Sequence, residues 1–276
     1  MSFAALLAVS VVAGFVGAMS GMGGGVVLIP ALTLLGIPIK HAIAISIVSV
    51  IATSSGAASA YVRDHITNLK LGMFLEVFTM LGALVGAAVT LATSQRWLYI
   101  AFALVLLGSW AALFAQRHQQ WQPRPTQDAF SRWLELEGRY HDQAVGQDIH
   151  YKGVRAYLGG PAMFGAGLIA GLLGIGAGAV KVLVIDLIMG MPPKVSTTTS
   201  NLIIGVTALA GTSVYLAAGL VDPALVAPVV LGIVAGAFVG TRLLVRLSNQ
   251  AVRQFFLVVL LVLGGEMLLR GIRGGA

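Results

Sequence analysis

The chain has 276 residues, of which 58% are hydrophobic and 10% charged, with 35 glycines and no cysteine. Soluble domains carry about 25% charged residues, so this chain has too few polar side chains to cover a water-facing surface. The composition excludes a soluble enzyme, a nucleic-acid-binding domain and a disordered chain, and the lack of cysteine excludes disulfides and thiolate metal sites. The net charge of +7 is typical of a membrane protein with Lys and Arg in its cytoplasmic loops.

Long apolar runs follow one another along almost the whole chain. A membrane-crossing helix needs about 20 mostly apolar residues, and the runs are far longer than the alternating segments of about 10 residues in a membrane barrel. The first run lacks a basic start and continues past the core of a cleavable signal. The pattern predicts an all-α, polytopic membrane protein, with apolar runs at 3–36, 41–62, 69–93, 98–115, 156–190, 195–220, 223–247 and 252–269.

Residues 116–155 differ sharply from the rest, because they hold 11 of the 27 charged residues. We expect a cytoplasmic loop here, with a short interfacial helix that starts at Pro125-Thr126. Its face would carry Phe130, Trp133, Leu134 and Glu137 at helical spacing. A regulatory or partner-binding role is the alternative. The loop separates a first transmembrane repeat, 1–115, from a second, 156–276.

The two halves match at one fixed offset of 154 residues, without any gap. Shared apolar composition alone would give scattered identities and would not place the pattern Gly-x-Pro-x-Lys twice in register. We interpret the match as an internal duplication, which is typical of transporters. The matching pairs include Gly17 and Gly171, Gly24 and Gly178, Gly36 and Gly190, Pro38 and Pro192, Lys40 and Lys194, Ser46 and Ser200, Thr53 and Thr207, Tyr61 and Tyr215, and Gly82 and Gly236.

The first run of each half is too long for a single crossing. Runs 3–36 and 156–190 would each be about 50 Å long as helix. Both are interrupted by glycine-rich segments, 20–25 and 174–178. We therefore expect each run to form two legs that meet at a break, because irregular backbone at membrane depth is tolerated only when it is buried in protein or lines a wet cavity.

The distribution of Lys and Arg favours halves of opposite orientation. If each first run is a re-entrant hairpin followed by three transmembrane helices, one face collects 12 basic residues and the other collects 4. If each first run crosses once, the halves are parallel and the split is 10 to 6. The larger asymmetry fits the positive-inside rule better. It predicts an inverted repeat with the 116–155 loop inside and both chain ends outside.

A glycine motif occurs in both halves. Its residues are Gly17, Gly21, Gly23, Gly24, Gly25, Pro30 and Leu32, echoed by Gly171, Gly174, Gly176 and Gly178. The second copy departs from the first, with Ala177, Ala179 and Val184 in place of two glycines and a proline. This pattern resembles that of the TauE/SafE sulfite exporter family, also called the 4-toluene sulfonate uptake permease family. The resemblance implies a polytopic permease for sulfite, sulfonates, sulfoacetate or related sulfur compounds, without fixing substrate or direction.

Two glycine breaks that face each other near the midplane would form an anion site from backbone. Helix N-termini carry unpaired N–H groups and a partial positive charge, and glycine lets an oxyanion approach them closely. The alternative is that these glycines only permit close helix packing. The candidate residues are Gly21, Gly23, Gly24, Gly25, Gly174, Gly176 and Gly178.

Lys181 is the most informative single residue, because it lies three positions past the second break and maps onto Val27. A cation within the membrane costs at least about 2.5 kcal/mol and needs an anionic partner. We expect that partner to be the substrate or Asp186, with snorkelling of Lys181 to the interface as the third interpretation.

Other polar side chains in the apolar runs suggest proton coupling or binding of an oxyanion. Glu76 maps onto Val230. We expect proton coupling through Glu76 and Asp186, and the alternatives for Glu76 are an interhelical hydrogen bond or a place near the membrane interface. A run of hydroxyls at the start of one helix would either bind an oxyanion or bond its own helix. That run is Ser196, Thr197, Thr198, Thr199, Ser200 and Asn201.

The sequence as a whole predicts a secondary transporter of small sulfur-containing anions, acting in export by alternating access in the cell membrane. Its partners would be the anionic substrate and the lipid bilayer, with no nucleic acid, and a homodimer is a further expectation. We expect no enzyme activity, cofactor or metal, because no metalloprotease, nucleophile-elbow or phosphate-loop motif occurs. The alternatives are an anion channel and a membrane binding or assembly protein that moves nothing.

Overall fold

The computed structural model describes residues 3–20, 24–63, 66–115, 126–142, 147–244 and 249–273, and these are mostly helical. The first half contains α1 (Phe3–Ser20), α2 (Gly25–Leu34), α3 (Ile39–Arg63), α4 (Leu69–Ala92) and α5 (Gln95–Ala115). The intervening segment contains α6 (Ala129–Trp133), β1 (Glu137–Asp142) and β2 (Gln147–Lys152). The second half contains α7 (Ala156–Leu173), α8 (Gly178–Leu183), a π-helical turn (Val184–Ile188), α9 (Pro193–Ala217), α10 (Pro223–Leu244) and α11 (Asn249–Ile272).

Several helices are long and apolar enough to cross a membrane. Among the described residues, four meet both criteria: Leu69–Ala92, Gln95–Ala112, Ala156–Leu173 and Pro193–Ala217. Their lipid-facing sides are exposed and apolar, as at Met73, Val77 and Leu81 on α4. The prediction of a polytopic helical membrane protein is therefore confirmed.

The helices begin and end at two opposite ends of the bundle. At one end, Lys40 in α3 donates to the carbonyl of Leu91 in α4 at 2.8 Å. Close by, Arg270 in α11 donates to the carbonyl of Thr33 in α2 at 3.1 Å. We call this the Lys40 end.

The other end, called the loop end, carries the segment between the halves. The Asn68 backbone N–H, just before α4, donates to the Thr199 hydroxyl at 3.2 Å. The Asn68 side-chain amide donates to the Tyr151 hydroxyl in β2 at 3.3 Å. Lys70 in α4 forms an ion pair with Glu135 of the same segment. The intervening segment is thus fixed to the start of α4, and Asn68 joins the start of α4 to α9.

The chain through α7, α8 and the π-helical turn forms a hairpin. The Val154 N–H, before α7, donates to the carbonyl of Met189, after the π-helical turn, at 3.0 Å. Gly159 in the first turn of α7 also packs against the Met189 side chain. The segment therefore starts and finishes at the loop end, with its break at the tip.

The chain through α1 and α2 also turns back on itself. A Cβ atom built on Gly24 would lie 3.4 Å from the carbonyl oxygen of Ala13, seven residues before the end of α1. The end of α2 reaches the Lys40 end through Thr33. The two hairpins consequently extend inward from opposite ends of the bundle.

Glycines bring the helix pairs into backbone contact. In α4 and α7, Gly82 contacts Phe164 and Gly86 contacts Leu168, so these helices run parallel. In α10 and α1, Gly232 contacts Leu7 and Gly236 contacts Val11, again in parallel. Small residues permit such close approach, which supplies the van der Waals contact that holds membrane helices together. Each hairpin thus packs its first leg on a helix of the other half.

The remaining long helices pair in the antiparallel sense. Gly205 of α9 contacts Ser54 of α3, and Gly211 contacts Ile47. In the α5 and α11 pair, Gly264 of α11 contacts Leu107 and Gly271 contacts Ile100, again in opposite order. These two pairs lie beside the hairpins.

The intervening segment corrects two predictions. Its helix, α6, ends at Trp133, so Glu137 is not on a helical face but pairs with Lys152 in an antiparallel β1–β2 hairpin. The chain leaves the helix because Glu135 adopts a left-handed conformation with φ of 51°. The hairpin makes the all-α prediction wrong for this segment, and the predicted start at Pro125 lies outside the described residues.

Asp128 explains where α6 begins and how it is attached to α7. Its carboxylate accepts from the Ser131 N–H at 3.0 Å, which caps the helix, and from the Arg155 N–H at 2.6 Å. Partial burial raises the pKa of Asp128, but these hydrogen bonds outweigh it and hold the pKa below the ordinary value. The ion pair with Lys70 likewise lowers the pKa of the exposed Glu135.

Candidate functional site

The tips of the two hairpins meet inside the bundle. A Cβ atom built on Gly25 would lie 2.9 Å from the carbonyl oxygen of Gly174 and 3.1 Å from the Cα of Ile175. The Ser46 hydroxyl of α3 donates to the same Gly174 carbonyl at 2.9 Å. Both breaks lie at the glycine runs from which they were predicted. Of the candidate glycines, Gly21 and Gly23 lie outside the described residues.

The space between the tips is small and apolar. A cavity of about 10 Å³ lies there, enough for one water molecule. Its lining contains one hydroxyl, that of Ser109, and is otherwise Val26, Val105, Leu106, Ile175, Ala177, Gly178, Val180 and Leu260. In this conformation the glycines are pressed against their neighbours, so an oxyanion would require the tips to separate.

The second break is built from left-handed residues. Gly174, Gly176 and Ala177 have φ of 64°, 71° and 47°. The conformation suits glycine but strains Ala177, because its Cβ approaches the backbone. Gly23 occupies the corresponding position in the first half. The alanine that stands in the second half where the first half has a glycine is therefore a strained residue at the tip.

Three hydroxyl groups donate hydrogen bonds to the last carbonyls of α7, beside the break. Tyr215 of α9 donates to the Gly171 carbonyl at 2.6 Å, and Thr90 of α4 donates to Leu172 at 2.8 Å. Ser46 donates to Gly174, as described above. The last carbonyls of a helix have no partner within it, so these bonds remove a cost of burying the tip.

Lys181 is completely buried one turn after this break. Its Nζ donates to the Thr207 hydroxyl of α9 at 3.0 Å. The same Thr207 oxygen lies 3.2 Å from Oε1 of Glu76 and 3.1 Å from the Thr79 hydroxyl, both on α4. The charges of Lys181 and Glu76 attract each other. Three elements thus meet at a polar cluster of Glu76, Thr79, Lys181 and Thr207, called the Thr207 cluster.

This arrangement separates Lys181 from Asp186, the protein partner considered from the sequence. Asp186 instead contacts the Ser196 hydroxyl, and its Oδ1 is buried without a hydrogen-bond partner. Five residues along a helix place two side chains on different faces, which is why the pairing fails. Among the described residues, no three acidic or histidine side chains group closely enough to hold a metal ion.

Half of the hydroxyl run at the start of α9 bonds its own helix. Ser196 donates to Pro192, Thr198 to Val195 and the Asn201 amide to Thr197, each to a backbone carbonyl. Besides Ser196, which contacts Asp186, two members face other elements: Thr199 accepts from Asn68, and Ser200 lies 3.4 Å from the Gly178 carbonyl at the break. The helix-bonding alternative therefore describes three of the six residues.

Sequence reasoning missed Thr79 and Thr207, although a signal for the cluster was present. Glu76 and Lys181 are opposite charges, and valines stand at the matching positions of the other half, Val230 and Val27. Two unrepeated charges of opposite sign in apolar runs are expected to pair, because an isolated charge in the membrane is costly. The signal does not reveal Thr207, whose counterpart Thr53 is also threonine.

Comparison with known proteins identifies relatives that are named as membrane transporters. The chain is 25% identical over 280 residues to "Probable membrane transporter protein YunE" of Bacillus subtilis (strain 168), covering 99% of both chains. It is 26% identical over 234 residues to "Probable membrane transporter protein YdhB" of the same organism, covering 84% of each. No solved structure matches the chain significantly. The family model described as "Sulfite exporter TauE/SafE" matches residues 6–267, so the chain belongs to the TauE/SafE family of membrane transporters.

Proposed function

We propose that this protein is a secondary transporter that exports small sulfur-containing anions of the sulfite, sulfonate or sulfoacetate type across the cell membrane. The observation that carries the proposal is the completely buried Lys181, one turn after the break at which two hairpins from opposite ends meet. A buried cation of this kind is suited to an anionic substrate. The family description supplies the substrate class.

The binding site would lie between the hairpin tips, beside the Thr207 cluster. The backbone N–H groups of the breaks, at Gly24, Gly25, Gly176 and Gly178, would contact the oxyanion as the tips separate. The Gly174 N–H already donates to the Ala170 carbonyl at 2.8 Å, so we leave it out of the site. Ser200 would contribute its hydroxyl from α9, since it already lies near the Gly178 carbonyl. The cavity of about 10 Å³ has room for one water molecule and not for an oxyanion, so this conformation would be a substrate-free one.

Alternating access would follow from an inverted repeat. Each half would comprise a re-entrant hairpin and three crossing helices. The antiparallel pairs α3 with α9 and α5 with α11, and the hairpins from opposite ends, support this arrangement. Rocking of one half against the other would open the tips to one side at a time. The excess of basic residues at the loop end supports a cytoplasmic location for 116–155.

Counterflow in sealed liposomes tests the proposal. Liposomes that contain the purified protein would be loaded with unlabelled sulfite, thiosulfate, sulfate or sulfoacetate. Uptake of the same anion, labelled and added outside, would then be measured. We expect saturable exchange of at least one of them and its loss in Lys181→Met. Gly108→Ala is the control, because a Cβ there meets nothing within 4 Å. Unitary currents without saturation would indicate a channel, and binding without counterflow would indicate a protein that moves nothing; either result would refute the transporter.

A further inference from the structure

Thr207 is the bridge between the two opposite charges of the Thr207 cluster. Its hydroxyl oxygen lies 3.0 Å from Lys181 Nζ and 3.2 Å from Glu76 Oε1. The three side chains come from α8, α9 and α4, so the bridge forms only when these elements are packed together. The Thr207 side chain is buried, which keeps water from replacing it.

The single hydrogen of the Thr207 hydroxyl has three acceptors within reach: Glu76, the Thr79 hydroxyl and the Ile203 carbonyl. A hydroxyl has one hydrogen and two lone pairs, and Lys181 occupies one lone pair. If the hydrogen points to Glu76, a continuous path joins the ammonium to the carboxylate. If it points to Ile203, 2.7 Å away, or to Thr79, 3.1 Å away, then Glu76 bonds Thr207 only when Glu76 itself carries a proton. The direction of the hydrogen bond between Thr207 and Glu76 therefore depends on whether Glu76 carries a proton.

We propose that Thr207 is a proton-relay residue that passes one proton between Lys181 and Glu76, and so couples proton movement to anion transport. The inference rests on the proposed function, because it describes how the same site is controlled. In the step, the Thr207 hydroxyl proton moves to Glu76 Oε1, and a Lys181 ammonium proton moves to Thr207 Oγ1. The hydroxyl is regenerated, the ammonium becomes an amine, the carboxylate becomes an acid, and no electrons are transferred.

The relay links anion binding to one proton. Without substrate, the pair is either doubly charged or, after the transfer, doubly neutral, so its net charge stays zero. When an anion arrives, the proton of the neutral pair passes from Glu76 through Thr207 back to Lys181, and the ammonium so formed takes the anion as its counter-charge in place of Glu76. Glu76 is then left as a partly buried carboxylate without its cation, and a proton from solution neutralises it. Anion and proton therefore enter and leave the site together.

The surroundings leave this pair electrically isolated. Asp186, on the π-helical turn, contacts Ser196 instead, and Lys70 at the start of α4 pairs with Glu135 at the loop end. On α7, which packs along α4, the sequence after Tyr157 contains no titratable side chain. Among the described residues, Lys181 is the charged group that acts on Glu76.

The repeat supplies a matched control for Thr207. Thr53 occupies the corresponding position on α3, and its hydroxyl donates within its own helix, to Val50 at 3.1 Å. The counterparts of Glu76 and Lys181 are Val230 and Val27, so no charges flank Thr53 in this way. A valine at position 53 removes an equivalent hydroxyl without touching the relay.

The test separates exchange from proton-driven accumulation in sealed proteoliposomes containing the full-length protein. Labelled sulfite, thiosulfate, sulfate and sulfoacetate would each be tested in two assays. Exchange would be measured with equal anion concentrations on both sides of the membrane. Accumulation would be measured under an imposed pH gradient of either polarity. One coupled proton supports about tenfold accumulation per pH unit. We expect wild type, Thr207→Ser and Thr53→Val to exchange and accumulate. Thr207→Val and Glu76→Gln should exchange but fail to accumulate.

Each result decides between the proposals. Accumulation by Thr207→Val at the wild-type level overturns the relay, and so does exchange by wild type without any response to the gradient. Absence of exchange in wild type overturns the proposed function itself. If Thr207→Val does not fold, Glu76→Gln carries the test, and a Glu76→Gln protein that still accumulates the anion overturns the relay.

Discussion

Two neighbouring glycines of α7 offer a sharp test of the helix packing. At Gly167, an added Cβ would lie 2.7 Å from the Cα and 2.8 Å from the carbonyl carbon of Thr79 in α4. Carbon atoms in contact prefer about 3.5–4.0 Å, so α4 and α7 would have to separate by about 1 Å. At Gly165, two residues away in the same helix, an added Cβ meets nothing within 4 Å.

The two alanine substitutions should therefore have opposite effects. Each substitution gains about 1 kcal/mol of helix propensity. Gly167→Ala also carries an overpacking cost of about 1–3 kcal/mol, because the new methyl group meets the backbone of α4, which cannot rotate away as a side chain can. Because the separated helices also attract each other less through dispersion, we expect Gly167→Ala to be about 2–4 kcal/mol less stable than Gly165→Ala. For a chain of this size the difference corresponds to roughly 5–15 °C in Tm.

Thermal unfolding of the purified proteins in one detergent measures this difference directly. Wild type should lie between the two variants. Equal melting temperatures, or a higher one for Gly167→Ala, would show that α4 and α7 do not touch at Gly167 and would refute the packing described above.

Three further predictions concern the tip, the buried cation and the loop end. Lys181→Met should abolish transport and lower the free energy of unfolding by about 3 kcal/mol, because Glu76 loses its cation. In thermal unfolding, adding Glu76→Gln should restore stability without restoring anion exchange. Restored exchange would contradict a role for the cation. Ser46→Ala leaves the buried Gly174 carbonyl without its donor and should cost about 1–3 kcal/mol in the same assay, whereas Ser213→Ala, at an exposed hydroxyl, should cost nothing measurable. Asp128→Ala removes the cap of α6 and should cost about 1 kcal/mol. The folded-state pKa of Asp128 is depressed, so its contribution to the free energy of unfolding is complete above the ordinary value of 3.8 and is lost as the pH falls through the folded-state pKa. The stability advantage of wild type over Asp128→Ala should therefore vanish in acid. An advantage that persists in acid would contradict the assignment of the cap.

Part of this architecture was predictable because it depends on local composition. The apolar runs gave the crossing helices, and the glycine-rich segments gave the breaks after Ser20 and Leu173. Glycine confers backbone freedom wherever it occurs, so its effect is readable without knowledge of neighbours. The β1–β2 hairpin was missed because the helical spacing of Phe130 and Trp133 was extended past Glu135, whose left-handed conformation ends the helix.

The amino-acid sequence alone determined that this chain lies in a membrane, that its first and seventh helices stop at glycines, and that Lys181 needs an anionic partner. Only the tertiary structure decided which partner it has. Glu76 and Thr207 are 131 residues apart, and Thr207 is 26 residues from Lys181. Such contacts depend on how α4, α8 and α9 pack, and periodicity along one helix carries no information about the rotation of another. The sequence therefore specified the charges, while packing placed the hydroxyl between them.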